Sequence, residues 1–113
     1  VGTGNKVEDF GVGFYTKYGD GGVDIAPIAD LMKSEVKSLS RSLGIDQRII
    51  DEPPRDGLWD DDRTDESQLG LSYDELEDAM TNTESSNRQK YNSIRKNNLH
   101  KMLPIPVCKI PRS

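Results

Sequence analysis

The sequence predicts a chain of the α/β class that is itself mostly helical, on three observations. Apolar residues between Ile28 and Leu43 recur at spacings of three or four, the repeat of one helix face. Ser72-Tyr73-Asp74-Glu75 is a helix-start signature, with apolar residues continuing behind it at helical spacing. Val1 stands where a strand would end, because Gly2-Thr3-Gly4 directly after it is turn chemistry. The chain is therefore expected to open in mid-fold, with strand and helix units of a complete α/β domain upstream of it.

After the opening turn, Asn5 to Phe10 has helical character. Gly19, Gly21 and Gly22 then fall within four positions, flanked by Lys17, Asp20 and Asp24. Glycine lets the backbone approach a ligand closely, and fixed charges of both signs beside it make this binding-site chemistry. The alternative is a surface hairpin with solvated charges. Pro27 opens the next helical turn, Ile28, Leu31, Met32, Val36, Leu39 and Leu43 form its stripe, and Gly44 supplies a left-handed stop. From Asp51 to Gly70 prolines, glycines and the run Asp60-Asp61-Asp62 show no sustained period, so a loop is expected there. Loops of that length suit an active-site cover. The aspartates lack the glycine and terminal glutamate of a calcium loop and read as a solvated acidic stretch.

In the capping box, the Ser72 oxygen takes a free backbone N–H three residues on and Glu75 reaches back, while Leu71 and Leu76 supply a hydrophobic staple. The helix runs from Tyr73 to about Thr81 with Leu76, Ala79 and Met80 inward. A second helix covers Asn87 to Asn98, anchored by Tyr91 and Ile94. Leu103-Pro104-Ile105-Pro106-Val107 is extended, since a residue before proline avoids helical geometry, and reads as a strap over a surface. There are no internal repeats.

Bulk properties set limits. A chain of 113 residues lies in the single-domain range and would bury roughly two thirds of its unfolded surface. With 33% hydrophobic and 31% charged residues and a mean hydropathy of -0.74, its supply of core side chains is thin, and a partner segment is expected to complete the core. No apolar run approaches the roughly 18 residues of a membrane span, and no signal-peptide pattern precedes Thr3, so the cytoplasm is the expected compartment. Cys108 is the single cysteine, read as a structural thiol and incapable of an internal disulfide. The net charge of -5 is unevenly spread: residues 1–83 hold eight Lys and Arg against nineteen Asp and Glu, whereas residues 84–113 hold seven against Glu84 alone. A basic tail on an acidic body attracts phosphates, nucleic acid or the body itself, and docking on the body is the simplest outcome. Tyr91 is the tail's only aromatic, which argues against nucleic acid.

Several short segments carry a resemblance through their order and spacing. They are Gly2-Thr3, Glu8, Gly13-Phe14-Tyr15-Thr16-Lys17-Tyr18-Gly19-Asp20-Gly21-Gly22, Leu31-Met32-Lys33, Asp56-Gly57-Leu58-Trp59-Asp60, Thr64-Asp65-Glu66, Leu69-Gly70-Leu71-Ser72-Tyr73-Asp74-Glu75 and His100-Lys101. Together they resemble the carboxy-terminal half of the ammonia-dependent NAD synthetases, in the ATP-pyrophosphatase superfamily. The resemblance runs over residues 1–113 and implies part of a doubly wound, adenine-nucleotide-hydrolase-like domain. It implies a homodimeric ligase that amidates deamido-NAD to NAD: the nicotinate carboxylate is adenylated by ATP, and ammonia then displaces AMP. Adenylation is needed because a carboxylate has no good leaving group. Charge building on phosphate calls for magnesium and lysines, and ammonium must lose a proton to a nearby carboxylate.

By the same resemblance Thr3 and Lys33 contact ATP, Glu8 helps hold Mg2+, Lys17 and Asp24 bind deamido-NAD, and His100-Lys101 closes on the dinucleotide. Asp20 is the expected acceptor of the ammonium proton, since the glycines around it leave room for a small nucleophile. Phe14 either stacks on the pyridine ring or packs in the core. Glu8 otherwise reads as an exposed helical acid. Two departures stand out. Lys17 lies nine positions after Glu8, one more than the family spacing, which makes Asp9 a rival ligand. In Glu52-Pro53-Pro54-Arg55-Asp56 there is no hydroxyl where family members place one for ATP, leaving only Arg55 as a phosphate contact. The superfamily's Ser-Gly-Gly-x-Asp-Ser phosphate loop does not occur in the sequence, so the chain alone is expected to be inactive. The rival readings are a GMP-synthetase-like adenylating ligase, which lacks the Lys-Tyr-Gly-Asp-Gly-Gly run, and a non-catalytic interaction module.

Overall fold

The computed structural model describes residues 1–112. Among them there is no β-strand: Val1 is exposed, and Gly2 N donates to Ile25 O (2.7 Å) as an isolated bond. The expected strand end at Val1 is therefore not found, because no second strand lies beside it to complete a ladder. The helical part of the expectation holds.

The first element is a π-helical segment, Val7–Val12. Asn5 starts it: its Oδ1 accepts from Val7 N (3.0 Å) and Glu8 N (3.2 Å), and Glu8 Oε2 accepts from Asn5 N (3.1 Å), a reciprocal cap. Gly13 ends it at φ 70°. Helix α1, Lys33–Ser42, begins later than Pro27 predicts. Lys6 N takes the Leu31 carbonyl (2.8 Å), removing it from any helical ladder, and Met32 is extended, so the helix restarts behind it with Glu35 accepting from Met32 N (3.0 Å). Residues 27–30 form turns instead.

Two short helices lie where a loop or nothing was expected. Helix α2, Gln47–Ile50, is capped by Asp46. Helix α3, Asp65–Leu69, interrupts the predicted loop from Asp51 to Gly70; Thr64 and Ser67 cap it reciprocally and Gly70 stops it at φ 74°. Helix α4, Tyr73–Thr81, has the predicted bounds and cap, with Glu75 N on Ser72 Oγ (3.1 Å) and Ser72 N on Glu75 Oε1 (3.0 Å). Helix α5, Arg88–Asn98, follows and runs into a 3-10 turn, Leu99–Lys101.

The π-helical segment, α4 and α5 pack on one another. Their shared core holds Val7, Val12, Leu71, Tyr73, Leu76, Ala79 and Tyr91, with Phe14, Met80 and Ile94 packed against it. Burying such side chains supplies about 1.5–3 kcal/mol each. Helix α1 contributes no buried residue: Leu39 is 47% and Leu43 70% exposed, and the molecule is drawn out to 63 × 34 × 32 Å. The end of the apolar stripe, Leu39 and Leu43, is uncovered within this chain, whereas Ile28, Leu31 and Val36 are half-buried and Met32 packs against the core.

The basic segment docks on the body as predicted, by a different route. Arg88 donates to Ala79 O (2.7 Å), Lys90 to Gly70 O (2.8 Å), Arg95 to Phe10 O and Gly11 O, and Lys101 to Gly13 O and Tyr15 O. Backbone carbonyls receive the cations, and among the described residues no carboxylate pairs with them. Leu103, Ile105 and Val107 are non-helical, as the prolines require, but exposed, so this stretch straps nothing in the chain; Cys108 is an exposed free thiol rather than a buried structural one.

Candidate active site

Two clusters collect most of the predicted site residues. The first is built on Glu8. The cap at Asn5 holds one carboxylate oxygen, and the Tyr73 hydroxyl, from the start of α4, donates to the other (Oε1, 2.6 Å). Lys33, at the start of α1, places Nζ 4.0 Å from Glu8 Oε1 and 5.3 Å from the Tyr73 ring centroid. Asp65 of α3 closes the far side with Oδ2 3.5 Å from the Tyr73 hydroxyl, and its Oδ1 is buried without a partner. Burial, then the Glu8 charge, push the Tyr73 phenol far above its ordinary value, so it is a permanent donor. Burial also raises the Asp65 carboxyl, with Glu8 and Asp56 adding to the shift.

As oxygen donors, Glu8 and Asp65 have the chemistry that a magnesium ion takes. Each Glu8 oxygen accepts one hydrogen bond and keeps a further lone pair, and Asp65 Oδ1 is a buried oxygen lacking any donor. Magnesium is commonly held by one or two carboxylates plus phosphate oxygens and water. Among the described residues, no group of three or more His, Cys, Asp and Glu converges. Asp9 points elsewhere: its carboxylate lies against Gly4, where a Cβ would collide with it, and it lines a small cavity of about 190 Å³ together with Tyr15 and Asp20. Burial raises its carboxyl, and the charges of Glu8 and Asp20 add to the effect.

The second cluster surrounds a cleft of about 460 Å³ lined by Phe14, Tyr15, Thr16, Gly19, Asp20, Asp56, Leu58 and Lys101. Asp20 Oδ1 accepts from Thr16 N (2.7 Å), which leaves its second oxygen unengaged. Asp20 lines the smaller cavity as well, and so stands between the two spaces. Lys101 donates to Gly13 O (2.9 Å) and Tyr15 O (2.7 Å), and burial lowers its pKa against the pull of Asp20. Lys17 reaches His100 O (3.1 Å), so loop and tail hold each other through one lysine each way. Phe14 packs on the core, as one of its two readings expects, and it also lines the cleft.

Asp24, Thr3 and Arg55 are not brought to the cleft. Asp24 and Thr3 are exposed, and Arg55 pairs with Glu52 (3.1 Å). His100 contributes its carbonyl rather than its ring. Sequence reasoning missed Tyr73 and Asp65 as neighbours of Glu8. Both stood inside the quoted motifs, and the available signal was a tyrosine and an aspartate at helix starts, positions that aim side chains across a short distance. Asp56 and Leu58, expected in a covering loop and within one of the segments that carry the resemblance, line the cleft.

A sequence profile described as NAD synthase matches residues 1–110. This chain belongs to the NAD synthase family. Its relatives in the family include the NH(3)-dependent NAD(+) synthetase of Methanosarcina acetivorans, 49% identical over 90 residues, which cover 80% of this chain and 34% of that protein. The corresponding protein of Syntrophomonas wolfei is 40% identical over 113 residues, covering 98% of this chain and 45% of its own length. The structure of NMN synthetase from Francisella tularensis superposes with a TM-score of 0.86 at 32% identity, covering 96% of this chain and 46% of that one. This chain thus spans less than half the length of each of these proteins.

Proposed function

We propose that the protein containing this chain is an ATP-dependent ligase that amidates deamido-NAD to NAD with ammonia, through an adenylated dinucleotide. The observation that carries the reading is the cleft in which Phe14, Asp20 and Lys101, from two distant parts of the sequence, converge. Family membership favours this over a GMP-synthetase-like ligase or a bare interaction module. The remaining half of the fold, with the phosphate loop and a doubly wound parallel sheet, comes from upstream sequence. The working protein is a cytoplasmic homodimer, and no helix among the described residues is long and apolar enough to cross a membrane.

In this reading Glu8 holds the magnesium of ATP, which neutralises charge on the phosphates when bound. Lys33 contacts phosphate beside it, with Thr3 and Arg55 at the outer edge of the nucleotide. Lys101 and Lys17 hold the dinucleotide and Phe14 offers its face to the pyridine ring, while Asp24 and His100, which lie outside the cleft in this chain, contact the part of the dinucleotide that extends beyond it. Asp20 takes a proton from ammonium after adenylation; ammonia then attacks the acyl carbon and AMP leaves with the bonding pair. The test is Asp20→Asn in the full-length protein, which is expected to lower turnover far more than ATP affinity and to let the adenylate accumulate in quenched reactions. Unimpaired amide formation would remove the proton-acceptor role.

The similarity to an NMN synthetase favours a second reading, in which the product is the mononucleotide NMN. Parallel assays with the two deamidated acceptors separate the readings by their kcat/KM ratio.

A further inference from the structure

We propose that Tyr73 is a positioning residue that holds Glu8 and Lys33 apart and in register, so that one can take a cation and the other a phosphate. The proposal rests on the roles just given to those two residues. Nothing in the motif resemblance assigns such a role to the tyrosine.

Tyr73 is only 5% exposed and belongs to the core, yet its hydroxyl emerges on the polar side and reaches Glu8 Oε1 at 2.6 Å across 65 positions of sequence. The phenol has one proton and two acceptors beside it. Glu8 at 2.6 Å takes it, and Asp65 Oδ2 at 3.5 Å is beyond a good O–H···O distance. With Asn5 N on the other oxygen, the Glu8 carboxylate is held at both ends by donors from different elements and does not swing about its terminal torsion. The same ring lies under the Lys33 ammonium, 5.3 Å from its centroid, a favourable cation–π distance. Lys33 stays 4.0 Å from Glu8 Oε1, at the outer limit of an ion pair. The hydroxyl occupies the oxygen that Lys33 would otherwise close upon, and the ring holds the ammonium where it can still meet a phosphate. Partners of this kind, one shell out from a metal ligand, typically change metal affinity about 10- to 100-fold when removed.

The experiment uses Tyr73→Phe in the full-length protein, which keeps the ring in the core and removes only the hydroxyl. Mn2+ binding in the presence of a non-hydrolysable ATP analogue, followed by electron paramagnetic resonance, reads the site without turnover. The expected result is about tenfold weaker Mn2+ binding, while the dissociation constant for the deamidated dinucleotide is unchanged. A fall in thermal midpoint with Mn2+ affinity intact would mean a structural role alone and would overturn the proposal. Glu8→Gln serves as the parallel variant. If it weakens Mn2+ and Tyr73→Phe does not, the positioning role fails and the Glu8 assignment stands; if neither does, both fall. The double variant should bind Mn2+ no worse than Glu8→Gln alone, since Tyr73 acts through Glu8, and an additive loss counts against it. Should the phenylalanine variant not fold, fluorinated tyrosine at position 73 preserves the shape and alters the hydroxyl, and an Mn2+ affinity indifferent to fluorination would equally overturn the proposal.

Discussion

Lys101 ties two distant segments together and still lines the cleft. Two of its three N–H donors are spent on Gly13 O and Tyr15 O, which ties the tail to the turn that carries Phe14, and the remaining donor is available to the cleft it lines. Lys101→Ala is therefore expected to weaken the dinucleotide about ten- to hundredfold in the full-length protein, measured by titration calorimetry. Lys109→Ala, on the exposed end, should do much less, and equal losses would mean that the tail acts only by diffuse charge. Gly13 makes that turn possible: at φ 70° a side chain is strained, and a Cβ there would stand 2.6 Å from Asn98 Cβ. Gly13→Ala should cost at least about 1–2 kcal/mol from the backbone alone, read from urea unfolding. The His100-Lys101 pair stood out in the sequence, but its mutual hold with the Lys17 loop did not, because Lys17 and His100 lie 83 positions apart.

Among the elements, those with full-length local signals were the readable ones. Helix α4 announced itself by its cap and its inward face, and α5 by Tyr91 and Ile94, and both appear within a residue of the predicted bounds. Helices α2 and α3 span barely one turn, too short to show a period, so only Asp46, Thr64 and Gly70 marked them. The start of α1 was misplaced because Lys6 captures the Leu31 carbonyl, a bond that no local pattern reports. The α4 cap makes a direct prediction: Ser72→Ala should destabilise the fold by about 1 kcal/mol, measured by chemical denaturation. Its pH dependence has a definite sign. The bonds from Ser72 hold the Glu75 carboxyl below its ordinary value, so this stabilisation is present above the unfolded pKa and is lost as pH falls through the folded one. Glu75→Gln should therefore flatten the acid limb of the stability curve, and an unchanged limb would show that the cap contributes nothing there.

At the scale of the molecule, the core is small, and the end of the α1 stripe leaves Leu39 and Leu43 exposed. Apolar surface of that kind seeks a partner. The 113-residue chain by itself is expected to self-associate through this face, and Leu39→Glu with Leu43→Glu should return it to a monomer in analytical ultracentrifugation. It is also expected neither to release pyrophosphate from ATP nor to form NAD, because Glu8 and Lys33 act without the backbone cradle that orients the phosphates. Micromolar ATP binding with AMP formation by the isolated chain would contradict this.

By itself the sequence determined the helical character of the chain, the capped helix at Tyr73, the glycine loop around Asp20 and the family to which these segments belong. Each of those rests on residues within a turn or two of one another, where spacing and side-chain chemistry act directly on the backbone. The tertiary structure alone decided which charges meet. It set Tyr73 and Lys33 on Glu8, brought Lys101 beside Asp20, left Asp24 and Arg55 apart from the cleft, and placed the basic tail on carbonyls instead of carboxylates. A hydrogen bond between residues 65 or 88 positions apart depends on how the core turns the helices that carry them, and no local pattern encodes that rotation.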